Sequence, residues 1–352
     1  MSHQTPKSFI KLQKRLDKSA QGAPVSESLF GILEELFTKE EAEKTALIPI
    51  KPFTVETMMK RWKVTKEEAQ KTLNDLADKG ILFDLHNGTK QTYIVAPTMA
   101  GFFEFSLMRT DGKFNNKVLS ELYHQYINEE DDFISEVLMQ KTAICRTFVH
   151  ENTINEKDQS EVMDYERATE VVNQASAWAV GTCYCRHKME HRGQACNMPQ
   201  DVCLTFNNAA KTLVKHGIAN KITKEESMAK LKQCIDLGLV QIGDNTRDNV
   251  GWICNCCGCC CEALLAYKRL NYDKKINSNW YAKIDNEKCN NCGICVVKCP
   301  VDAITIVKGK PLINLNKCIG CGVCKRFCNF QAIEIKKRDE TMFIPKDSFE
   351  RC

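Results

Sequence analysis

Residues 253–261 read Ile253-Cys254-Asn255-Cys256-Cys257-Gly258-Cys259-Cys260-Cys261. Six thiols this crowded exceed what separate disulfides or packing cysteines need, and thiolates held so closely repel one another unless a cation binds them. A metal centre is the natural reading. On one side Leu237–Ile242 predicts a short strand, and on the other Ala263–Leu270 predicts a helix. The cysteines therefore fall on a strand-to-helix loop, with Gly258 freeing the backbone to wrap around metal.

Upstream, Cys183, Cys185, Cys196 and Cys203 follow C-x-C-x10-C-x6-C. Four thiolates are what one 4Fe-4S cluster needs, and zinc would accept them equally well. Two further four-cysteine runs in the same chain, Cys289 to Cys299 and Cys318 to Cys328, favour iron. Arg186, His187, Lys188, His191 and Arg192 surround this set. Positive charge and N–H donors there would stabilise a reduced cluster, and the two histidines read as neighbours rather than ligands. Cys254, Cys256, Cys257, Cys259, Cys260 and Cys261 outnumber the ligands of a second cubane. Either some are buried spectators beside one cubane or zinc ion, or the loop joins the upstream four in paired clusters or one unusual larger one.

Downstream, Cys289, Cys292, Cys295 and Cys299-Pro300 follow C-x2-C-x2-C-x3-C-P, and Cys318, Cys321, Cys324 and Cys328 repeat the spacing. Residues 285–337 resemble the bacterial two-cluster ferredoxin domain, with Asn329 where that family usually has proline. The resemblance implies one-electron transfer and crossed ligation: Cys289, Cys292, Cys295 and Cys328 on one 4Fe-4S cluster, Cys318, Cys321, Cys324 and Cys299 on the other. It also implies short strands at Ala303–Val307 and Ala332–Ile335.

The whole chain has 352 residues, 43% apolar content, 27% charge and 21 cysteines. Its length allows two or three domains, and its composition is that of a soluble protein. No apolar run reaches the roughly 18 residues of a membrane span. No signal sequence is visible, so a cytoplasmic protein with metal or redox use of its thiols is expected, and oxygen-labile clusters would suit an anaerobe. The net charge of +4 is too small to name a nucleic-acid partner. Residues 1–23 form a basic tail in which Phe9, Leu12 and Leu16 could mark an amphipathic helix or a frayed end.

Ser26 or Ser28 should cap a helix carrying Leu29, Ile32, Leu33 and Leu36, and Thr65-Lys-Glu-Glu68 is a capping box. Two strands, Ile81–Leu85 and Thr92–Ala96, should turn at Asn87-Gly88. This order resembles a winged-helix domain. Between Pro24 and Gly112, however, 11 Lys/Arg stand against 14 Asp/Glu, a balance of −3, which suits protein docking rather than phosphate neutralisation. Met99–Met108 predicts an aromatic helix, Val118–Phe148 two further helical stripes, residues 151–161 a linker, Asp164–Val180 a helix released by Gly181, and Thr205–His216 and Thr223–Asp236 two more helices. Cys145 and Cys234 read as packing thiols.

The expected architecture is multidomain, mainly α with α+β parts: a basic tail (1–23), a winged-helix-like domain (24–112), a helical connector (113–162), a helical cysteine-rich domain (163–284), a dicluster ferredoxin fold (285–337) and a C-terminal tail (338–352). As a whole it resembles iron-sulfur proteins of anaerobic bacteria with this layout. The expected function is low-potential electron transfer between the C-terminal clusters and one or more middle clusters, as a carrier or a subunit of a larger redox complex. Two alternatives are an oxidoreductase reducing a substrate at an open middle cluster and a redox-sensing winged-helix regulator. Nucleotide-binding glycine loops are absent from the sequence, so the expected partner is a flavoprotein or another iron-sulfur protein, with no DNA, and an oligomer or complex remains open.

Overall fold

Ser26, Thr38, Thr65 and Thr223 each accept a hydrogen bond from the backbone N–H three residues on, opening helices Glu27–Leu36, Lys39–Thr45, Lys66–Asp78 and Lys224–Asp236. The last three complete capping boxes with Glu41, Glu68 and Glu226. Each cap contributes about 1 kcal/mol to fixing where its helix begins. The computed structural model describes residues 5–19, 21–87, 90–138, 140–270, 276, 278–347 and 350. The chain divides into two units, one of residues 1–137, 181–195 and 208–220, the other of residues 138–180, 196–207 and 221–352.

In the first unit, the basic N-terminal stretch is a packed helix, Lys7–Leu16, which buries Phe9, Leu12 and Leu16. It is tied down by Gln13 Nε2 donating to the Ala23 carbonyl (2.7 Å) and Arg15 donating to the Pro49 carbonyl (2.7 Å). Four further helices, Glu27–Leu36, Lys39–Thr45, Val55–Trp62 and Lys66–Asp78, precede an antiparallel hairpin of β1 (Leu82–Asn87) and β2 (Lys90–Val95). Gly88 of the expected turn lies outside the described residues. The aromatic helix expected from Met99 begins only at Phe103. Ala100 takes a left-handed conformation (φ 54°), and the Glu104 carboxylate accepts from the N–H groups of Ala100 and Gly101 at 2.8 and 2.9 Å. Phe103, Tyr123, Tyr126 and Phe133 then form an aromatic cluster, with Tyr126 stacked on Phe133 and Phe103 tilted against Tyr123, both at centroid separations of 4.9 Å.

A six-stranded sheet has strands β3 (Cys145–Phe148), β4 (Trp178–Thr182), β5 (Asp201–Phe206), β6 (Ala219–Ile222), β7 (Val240–Asp244) and β8 (Trp252–Cys256) in the order β3-β7-β8-β5-β4-β6, of which β3, β5, β7 and β8 lie wholly in the second unit. The β3/β7, β7/β8 and β5/β8 pairs are antiparallel. Three sequence expectations change here. The helix expected over 164–180 is a short helix, Ala168–Gln174, followed by β4, with Gly181 inside the strand. Asn207 Oδ1 accepts from the backbone N–H of Ser176 (2.9 Å), holding the chain in its new direction. Thr205 and Phe206 end β5 rather than start a helix, since Val202, Leu204 and Phe206 alternate into the core. The expected linker at 151–161 forms 3-10 turns, with Ile154 and Val162 flanking them in the core.

The same unit contains β9 (Trp280–Ile284), β10 (Ile304–Val307), β11 (Lys310–Ile313) and β12 (Ile333–Lys337). β9 pairs with β12 (Ile284 opposite Ile333), and β10 pairs with β11. One apolar core joins Val149, Ile154 and Val240 to Ile304, Ile319 and Ile335. Among the described residues no helix is long and apolar enough to cross a membrane.

Candidate metal centres

The two C-terminal cysteine runs fold into two recesses. Gly293 and Gly322, at φ 74° and 84°, turn the chain into the short helices Ile294–Lys298 and Val323–Arg326 that carry Cys295 and Cys324. One recess, with an empty volume of about 350 Å³ including its open mouth, is lined by Cys289, Cys292, Cys295 and Cys328 among Ile284, Ile294 and Phe330. The other, about 340 Å³, is lined by Cys299, Cys318, Cys321 and Cys324 among Val301, Ile304 and Ile319. In each, three thiols come from one run and the fourth from the other.

The second recess is the more enclosed: Cys318, Cys321 and Cys324 are buried, whereas Cys292 of the first is exposed. Burial, then neighbouring Cys321, Cys318 and Cys299, pushes the Cys324 thiol well up, and burial likewise raises Cys321, Cys299 and Cys295. Such thiols ionise together only when a cation offsets their charge. The Ala303 N–H donates to Cys299 Sγ at 3.2 Å, a bond that favours the thiolate. Four thiols and apolar walls fit a 4Fe-4S group in both recesses, and the enclosed one adds an N–H donor.

The middle cysteines separate differently from their spacing. β8 carries Cys254 and Cys256, so the loop proper begins at Cys257 and ends before the helix Glu262–Leu270. Cys257, Cys259 and Cys260 are joined by Cys196, which lies 64 residues before Cys260, and the four Sγ atoms all lie within 4.8 Å of one another. Cys196–Cys257 measures 3.6 Å, Cys196–Cys260 3.8 Å and Cys259–Cys260 3.8 Å. The Cys256 thiol is hydrogen-bonded with those of Cys254 and Cys261, and these contacts together with burial raise it well above the ordinary value. The β5/β8 register pairs Leu204 with Ile253, which sets Cys203 opposite Cys254 at the next position. Burial, then Cys257 and Cys196, pushes Cys259 up to about 12.

Gly258 has a role other than the one its conformation suggested. A Cβ built there would meet the Pro300 carbonyl and lie 2.9 Å from Pro300 Cα, so glycine is required by close approach of the next loop.

Cys183 and Cys185 belong to the first unit, at the start of the helix Tyr184–His191, and their free thiols are hydrogen-bonded to each other. His187 Nδ1 donates to the Leu107 carbonyl at 2.6 Å, and His191 Nε2 lies 3.1 Å from His187 Nε2. His187 is thus held by backbone and by its neighbour. Lys188 Nζ donates to Asn128 Oδ1 (2.6 Å). Of the expected foursome Cys183, Cys185, Cys196 and Cys203, Cys196 groups with the central loop, while Cys203 lies on β5 and Cys183 and Cys185 stand at the start of the helix Tyr184–His191. Nothing in the spacing signalled the partnership of Cys196, because it depends on a fold that returns the chain after some sixty residues.

No curated protein and no solved structure matches the chain. Residues 281–342 match the model of the 4Fe-4S dicluster domain family. With both recesses furnished as such a domain requires, the C-terminal part of this chain is a ferredoxin-type 4Fe-4S dicluster domain.

Proposed function

We propose that the protein is an electron-transfer protein, acting as a carrier or as a subunit of a larger redox complex, in which the C-terminal clusters exchange electrons with metal held by the middle cysteines. A bound 4Fe-4S cluster takes up and releases one electron at a time. The observation that carries the reading is the seating of Gly258 against Pro300, next to Cys299 of the enclosed recess. Cys256 and Cys261 also share one apolar core with Cys318, Cys321 and Cys324, which excludes water from the space between the two thiol sets. The recess of Cys289, Cys292, Cys295 and Cys328 opens to solvent and suits exchange with a flavoprotein or another iron-sulfur protein. Under this reading the hairpin-bearing first unit is a winged-helix-like docking element for that protein.

A redox titration of the anaerobically prepared full chain, followed by absorbance and EPR, tests the proposal. Two centres should be lost separately in Cys292→Ser and Cys321→Ser, and a further redox change should be lost in Cys256→Ser. If Cys256→Ser leaves every redox signal unchanged, the middle region has no part in electron transfer and the proposal fails.

A further inference from the structure

Among the described residues, Cys196, Cys257, Cys259 and Cys260 are the group whose ligand atoms all come within 4.8 Å of one another; neither ferredoxin foursome does so. The distinction has a geometric meaning. A single ion bound to sulfur at about 2.3 Å sets its tetrahedral ligands about 3.8 Å apart. In a cubane each cysteine binds a different corner iron, so the sulfurs stand farther apart, at about 6 Å. The separations of 3.6, 3.8 and 3.8 Å in this foursome match the first case. The backbone of Cys196 also hydrogen-bonds to Cys260 Sγ. Cys254, Cys256 and Cys261 stand apart as a second set.

We propose that Cys196, Cys257, Cys259 and Cys260 form a mononuclear tetrathiolate site for one divalent ion, zinc or iron, distinct from any cluster held elsewhere in the middle region. The site divides the six central cysteines between two purposes. Cys257, Cys259 and Cys260 hold the ion and close the loop onto Cys196, while Cys254, Cys256 and Cys261 remain for a separate centre. The site holds whether or not the middle region transfers electrons.

The test uses the full chain purified anaerobically, assayed for iron, zinc and acid-labile sulfide. Cubane iron and sulfide are equal in number, so the proposal requires metal in excess of sulfide by about one atom per chain. Zinc analysis and Mössbauer spectroscopy decide between the two ions. Cys257→Ser and Cys259→Ser should remove that one ion while leaving sulfide unchanged, and Cys256→Ser should leave it bound. Cys259 is exposed, so its replacement does not disturb the core. Cobalt added to the metal-depleted protein should give intense thiolate charge-transfer bands that Cys259→Ser weakens. Equal metal and sulfide, or loss of about four irons with about four sulfides in Cys257→Ser or Cys259→Ser, would overturn the assignment.

Discussion

Gly258 lies against the backbone of Pro300, with no space between them for a Cβ. The loop of Cys257, Cys259 and Cys260 thereby touches the segment that follows Cys299 of the enclosed recess. Gly258→Ala should destabilise the second unit by about 1–3 kcal/mol, because backbone rather than a flexible side chain must yield. Denaturant unfolding measures the cost, and EPR should show the centre of Cys318, Cys321 and Cys324 altered more than that of Cys289, Cys292 and Cys295. An unchanged midpoint with unchanged spectra would mean that the contact is dispensable.

The crossed lining of the two recesses predicts crossed effects of substitution. Cys299→Ser should perturb the centre that Cys321→Ser removes, and Cys328→Ser the centre that Cys292→Ser removes. Each should lower iron by at most about four atoms per chain. Pairing of the effects within a run, Cys299 with Cys292, would refute the arrangement.

In the first unit, Asp84 on β1 is buried and pairs with Lys215 and His216, and His216 also pairs with Asp78. Burial alone would raise Asp84, but its pairing with His216 and Lys215 outweighs it and draws it down to about 2. Burial alone would lower His216, yet its bonds to Asp84 and Asp78 raise it. The Asp84 contribution is therefore present above its ordinary value of 3.8 and fades as pH falls through about 2. The His216 contribution is complete below 6.5 and fades as pH rises through its higher folded value. Asp84→Ala should cost roughly 3 kcal/mol at pH 5.5, since it takes from a buried imidazolium one of its two carboxylate partners. Its penalty should shrink toward alkaline pH in denaturation curves; a penalty that grows there would contradict the pairing.

The balance of −3 between Pro24 and Gly112 bears on the first unit's partner. In a mobility or anisotropy assay, the full chain should bind random duplex DNA no more tightly than a neutral control protein at physiological salt. Micromolar binding that weakens steeply with added salt would mark a phosphate-neutralising surface and reverse the docking assignment.

Local signals in the sequence specify much of this structure. The boxes at Thr65 and Thr223 act within four residues, so they were readable directly, as was the fixed spacing of the C-terminal cysteines. Trp178–Thr182 reads as well for a helix as for a strand because a short apolar run has no period that separates the two. Val202, Leu204 and Phe206 carry an alternating signal that marks a strand through Cys203. The membership of 181–195 and 208–220 in the first unit leaves no trace in periodicity. Nor could the position of Cys196 be read, since spacing ranks neighbours in the chain and not in space.

The 64-residue separation between Cys196 and Cys260 also sets a timetable for biosynthesis. At a ribosomal rate of about 5–20 residues per second, Cys196 is made roughly 3–13 seconds before its last partner. During that interval the nascent thiol is exposed to oxidants and stray metals without its companions. Delivery of the correct ion is consequently an event of late translation or of the released chain, and a cell making this protein must keep its newest thiols reduced until then.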